Sequence, residues 1–114
     1  MDELIDQIIA ATGIDAAVAR QATGIVINFL SNDGPADAVD AVLDSLPGAR
    51  DLAAATGGGQ GGIMGAFGEL TSAGLDVGDI QDVARIIVDY ARATAGAEKV
   101  DALIAGIPGL DALI

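Results

Sequence analysis

Residues Gly13–Ala53 read a second time as Gly74–Ile114, at a constant offset of 61 and with no gap. The identical pairs are Gly13/Gly74, Asp15/Asp76, Ile25/Ile86, Ala36/Ala97, Val39/Val100, Asp40/Asp101, Ala41/Ala102, Pro47/Pro108, Gly48/Gly109 and Leu52/Leu113. Conservative pairs such as Val26/Ile87, Ile27/Val88, Phe29/Tyr90, Leu43/Ile104 and Leu46/Ile107 lie between them. Apolar positions, a helix-start Asp and a Pro-Gly pair do not stay in register for so long by chance. The spacing therefore predicts two copies of one supersecondary unit, neither of which can bury its apolar stripe alone.

Helical periodicity runs through both copies. Leu4, Ile5, Ile8 and Ile9 share one side of Asp2–Ala11, opposite Asp2, Glu3, Asp6 and Gln7. Asp15 is placed to cap a second helix reaching about Leu30, with Val18, Ala22, Ile25, Val26 and Phe29 on its apolar line. Ser31-Asn32-Asp33-Gly34 reads as a turn, and Pro35 suits the first position of a third helix that points Val39, Val42, Leu43 and Leu46 inward. Pro47-Gly48 breaks it, and Ala49–Ala55 reads as one more short helical segment. The second copy repeats this as Ile63–Ala73, a helix capped by Asp76 to about Thr94, Ala97–Ile107, Pro108-Gly109 and a terminal Leu110–Ile114. No strand pattern of period two is present.

The fold expected is all-α: two tandem three-helix repeat units packed into one bundle-like domain over 1–114. The repeats are 1–56 and 63–114, joined by a Gly-rich linker at 57–62. Five of the six residues Gly57–Gly62 are glycine, so the segment favours neither helix nor strand and reads as a joint with little to hold it. With three aromatic residues (Phe29, Phe67, Tyr90) and no Trp, the core has to be built from Ile, Leu, Val and Ala.

Charge and missing residue types narrow the function classes. Seventeen carboxylates against five basic residues leave a net charge of −12, carried by both halves. Such a surface repels phosphate, so neither nucleic acid nor an anionic membrane is expected as a partner. The absence of Cys excludes disulfides, thiolate metal sites and thiol catalysis, and the absence of His excludes Ser-His-Asp and Cys-His arrangements. The opening MDELIDQ has no basic stretch leading into an apolar run, so a cytoplasmic location is expected.

Four motifs touch on known chemistry, and in each the context favours a plain structural role. Gly57-x-Gly59-x-x-Gly62 has dinucleotide-loop spacing but follows an Ala-rich helix instead of a strand. Asp44-Ser45-Leu46 matches the triplet of acyl carrier proteins, whose Ser begins a helix, whereas Ser45 here ends one. Asp76, Asp79 and Asp82 lack the alternation and closing Glu of a calcium loop, and capping accounts for the first two. Gly61, Gly65 and Gly68, with Ile63, Met64 and Phe67, read as a helix face suited to very close approach by another helix. Met64 and Phe67 are the candidate docking surface.

The stretch Gly57–Gly68, Gly74-Leu75, the run Ile86-Ile87-Val88-Asp89-Tyr90 and the closing Gly106-Ile107-Pro108-Gly109 resemble small bacterial all-helical families catalogued as domains of unknown function, of the VcgC/VcgE-like type. The resemblance covers mainly the second half and implies an all-helical fold without assigning a catalytic residue, ligand or partner. The richness in Ala, Gly and Asp fits a bacterial genome of high GC content.

The expectation is a non-catalytic helical interaction or structural protein that self-associates, with a homodimer or an unknown protein partner as its contact. The alternative is a small apolar-ligand or acyl-chain binding protein with an Ile/Leu/Val-lined gap between the units. An enzyme working through carboxylates is a more distant option. No catalytic residue, cofactor or metal ligand is assigned.

Overall fold

In the computed structural model, described for residues 1–107, 109 and 110, the chain forms seven helices and no strand among those residues. They are α1 (Asp2–Thr12), α2 (Ala16–Asp33), α3 (Ala36–Asp44), α4 (Ala49–Thr56), α5 (Gly62–Ser72), α6 (Val77–Ala95) and α7 (Ala97–Ala105). Pro108 and most of the expected terminal segment Leu110–Ile114 lie outside the described residues.

Local chemistry accounts for most boundaries. The amphipathic stripe of α1 buries Leu4, Ile5 and Ile8, and Gly13 stops the helix by turning left-handed (φ 73°) while its N–H donates to the Ile9 carbonyl. Asp76 caps α6, its carboxylate accepting the Asp79 N–H at 2.8 Å. Asp15 occupies the same place before α2, yet its side chain makes no capping hydrogen bond, which corrects the expectation of a cap there. Helix α2 runs to Asp33, three residues further than its apolar line suggests, and Pro35 flanks α3 as its N-cap instead of opening its first turn.

Helix α2 is the centre of the molecule. From Ala22 to Leu30 every residue except Asn28 is buried, including Thr23 and Gly24. A helix buried on nearly all sides must have neighbours on nearly all sides. Thr23 tolerates this because its hydroxyl donates to the Ala19 carbonyl at 2.7 Å. Helix α4 fills one side at close range. Gly24 leaves room for the Thr56 side chain, which a Cβ at position 24 would overlap.

The remaining packing interleaves the two parts of the chain. Helix α1 lies against α6, α5 against α2, and α3 against α7. Leu4, Ile8, Ile27, Ile80, Val83, Ile87 and Val100 are sealed from water in one continuous cluster. With a Cα radius of gyration of 12.4 Å, the chain is as tight as a folded domain of about 100 residues should be, roughly 13 Å.

Two predictions follow from these contacts. Asp76→Ala should cost about 1 kcal/mol in urea unfolding, and Asp15→Ala less than about half of that, because only Asp76 satisfies a helix N–H. Gly24→Ala should destabilise by about 1–3 kcal/mol through overlap with Thr56, despite the better helix propensity of Ala. A stabilised Gly24→Ala protein would contradict the close α2–α4 approach.

Candidate functional site

The glycine segment is a formed loop. Gly57, Gly58, Gly59 and Gly61 all have positive φ, a path open to glycine and costly for other residues. Gly59 is buried against α2 so closely that a Cβ there would meet the Phe29 backbone nitrogen at 2.5 Å. Polar side chains hold the loop from both flanks. The Asn28 amide donates to the carbonyls of Ala53 and Gly57, each at 2.8 Å, and the Asn32 amide to that of Gly59 at 3.2 Å. From α5, the Glu69 carboxylate accepts the Gly59 N–H at 2.8 Å. The expectation of a joint with little to hold it is corrected accordingly. The fixings are remote Asn and Glu side chains, which local composition does not show.

Helix α5, which follows the loop, separates the two candidate docking residues. Met64 is 79 % exposed. Phe67 is half-buried and packs on the core, lining an apolar void with Val26, Phe29 and Ile63. The glycines of α5 do not seat another helix, as their spacing had suggested. Gly68 has open space where a Cβ would stand, and Gly65 faces the Gln60 carbonyl of its own loop. Close approach occurs instead at Gly24, at Gly59, at Gly34 beside Leu103 and at Gly106 beside Pro35.

Gly65 and Gly68 border an open cleft of about 570 Å³ between α2, the end of α4 and α5. Gln21, Ile25, Thr56, Glu69 and Ser72 supply its other surfaces. A second open cleft of about 390 Å³ lies on the other flank of α4, where Asn28, Ser31, Asp40 and Arg50 meet Val39 and Leu43. Two small apolar voids, of about 20 and 30 Å³, lie between α2, α3, α6 and α7 and between α2, α5 and α6. Pockets that hold small organic ligands measure roughly 300–1,000 Å³, so as formed neither void has room for an acyl chain.

The charged groups are distributed over the outer faces. Arg50 bridges Asp44 at 2.6 Å and Asp40 at 3.5 Å, Arg92 bridges Asp101 at 3.0 Å and Asp89 at 3.7 Å, and Arg20 meets Asp2 at 2.9 Å. The hydrogen bond that Arg50 donates to Asp44 is the main cause that holds the Arg50 pKa above its ordinary value, with Asp40 adding to it. Both groups are exposed, so the pair is screened by water and contributes little to stability. Asp76 is occupied as a cap and Asp82 lies 3.4 Å from Arg85. Ser45 ends α3, with its hydroxyl directed to the Ala41 carbonyl at 3.3 Å.

No family model, curated protein or solved structure matches this chain. The site is therefore defined by its own geometry. It comprises an exposed thioether at Met64 on α5, a cleft bordered by Gly65 and Gly68 of the same helix, and a loop held by Asn28, Asn32 and Glu69.

Two measurements probe this arrangement. Gly68→Ala should stabilise the protein by about 0.5–1 kcal/mol, because α5 gains propensity and nothing is displaced. Glu69→Ala should raise amide exchange at Gly59 by ~10-fold or more, since the buried N–H loses its charged acceptor. Unchanged exchange there would show that Glu69 does not hold the loop.

Proposed function

We propose that this protein is a non-catalytic helical interaction protein built from two tandem units, 1–56 and 63–114, that meets its partner through the α5 face around Met64. The observation that carries this reading is the exposure of Met64. Among the described residues the large exposed apolar side chains are Met64 and Val77, 79 % and 55 % exposed, and the residue that follows Met64, Gly65, borders an open cleft. A flexible, polarisable thioether adapts to many partner shapes. Gly68, one turn further along α5, has open space where a side chain would stand and lets a partner's chain approach the helix backbone.

The two-unit organisation is supported by matched elements. Helices α1 and α5 have 11 residues each, α3 and α7 have 9 each, and α2 and α6 have 18 and 19. Repeat partners share burial at Val26/Ile87, Ile27/Val88, Val39/Val100 and Leu46/Ile107. The arrangement of α1 on α6 and α5 on α2 is also the reciprocal pattern of a two-fold contact. No membrane role is part of this reading, and no described helix is long and apolar enough to cross a bilayer.

Site-specific photo-crosslinking in the native cell tests the proposal. A photoreactive residue at position 64 should give a discrete crosslinked species that the same residue at exposed Asp37 on α3 does not. A species of twice the chain mass would identify the partner as a second copy. That form should strengthen with salt, because a charge of −12 on each copy opposes association until it is screened. Equal, diffuse labelling at both positions would overturn the α5 assignment.

A further inference from the structure

Helices α1–α4 and α5–α7 pack against each other through several helix pairs, yet a single loop, 57–61, joins them. Across that division α1 packs on α6, α5 on α2, α3 on α7, and α6 also touches α2 and α3. Pro35 sits against Gly106, and Gly34 against Leu103. We infer that two copies of this chain form a half-exchanged dimer, in which α1–α4 of each copy packs with α5–α7 of the other and the glycine loop opens to bridge them.

The occupant of the exchanged interface is a second copy because only it presents the complementary surface, identical in every contact to the one already formed within the chain. Exchange therefore needs no new apolar patch, which suits a surface with Met64 and Val77 as its large exposed apolar side chains among the described residues. The change in backbone is confined to the loop. Its closed form depends on positive φ at four glycines and on the hydrogen bonds from Asn28 to Gly57, from Asn32 to Gly59 and from Gly59 to Glu69. An opened loop gives up these bonds to water and gains the freedom natural to glycine. Closing a short flexible loop corresponds to an effective concentration in the millimolar range, so the exchanged form competes when refolding occurs near that protein concentration. Once formed it persists, because separation requires the shared core to open. This inference does not use the α5 docking face and stands or falls apart from it.

The test is refolding from denaturant followed by size exclusion with light scattering. Wild-type protein refolded at about 1 mM should yield a species of twice the chain mass, and at about 1 µM only monomer. The dimer should survive dilution for hours, and its amide exchange should match the monomer throughout α1, α2, α5 and α6, differing at 57–61. Gly59→Val, whose side chain cannot occupy the closed loop against Phe29, should shift dimer formation to at least ~10-fold lower concentration. Monomer alone from wild-type refolding at about 1 mM would overturn the inference, whether or not Gly59→Val folds. A dimer that dissociates within seconds of dilution, as a surface contact would, would overturn it equally.

Discussion

The burial of α2 sets the terms for everything around it. Between Ala22 and Leu30 the helix presents apolar or small side chains in nearly every direction, and water has to be kept from all of them. No single neighbour can do this. Helix α4 follows α3 on the near side of the glycine loop, whereas α5 and α6 come from beyond it. The two parts of the chain are thus obliged to interlock. With few aromatic residues, each contact buries modest area, and stability is spread across Ile, Leu, Val and Ala in one cluster.

Glycine serves three separate ends in this framework. At Gly24 its missing side chain lets α4 press Thr56 against α2. At Gly59 both the missing side chain and the positive φ are needed, so that the loop can lie along α2 and receive Glu69. At Gly68 neither is required by the fold, and the residue leaves α5 bare beside a cleft. A helix interior that keeps a destabilising glycine without a packing reason is where a surface role is best sought. The chain is acidic, with a net charge of −12, and repels other anionic surfaces.

Much of the helical layout was legible because it rests on local periodicity. The stripes of α1 and α3 and the cap at Asp76 are short-range facts of the sequence. The position of Ser45 at a helix end was legible for the same reason, since Pro47-Gly48 follows it. What escaped depends on distance in the chain. Asn28 and Asn32 reach the loop from 29 and 27 residues away, which no composition of 57–62 can reveal. Glycine spacing likewise suggested a helix contact on α5, while the glycines at which helices do approach closely are set by partners far away in sequence, Thr56 for Gly24 and Pro35 for Gly106. Of the docking pair, periodicity alone could not separate Met64 from Phe67, because the core stripe of α5 is defined by where α2 and α6 lie.

Mutual dependence of the two parts is the central claim, and cooperativity tests it most directly. Tyr90, the single tyrosine, sits half-buried on α6 and reports the second part through its fluorescence, while far-UV circular dichroism reports all the helices. Urea unfolding followed by both signals should give one midpoint and one slope, since α2 and α6 cannot keep their burial apart from each other. A Tyr90 transition displaced from the circular dichroism transition would show that the parts unfold independently and would contradict the interlocked core.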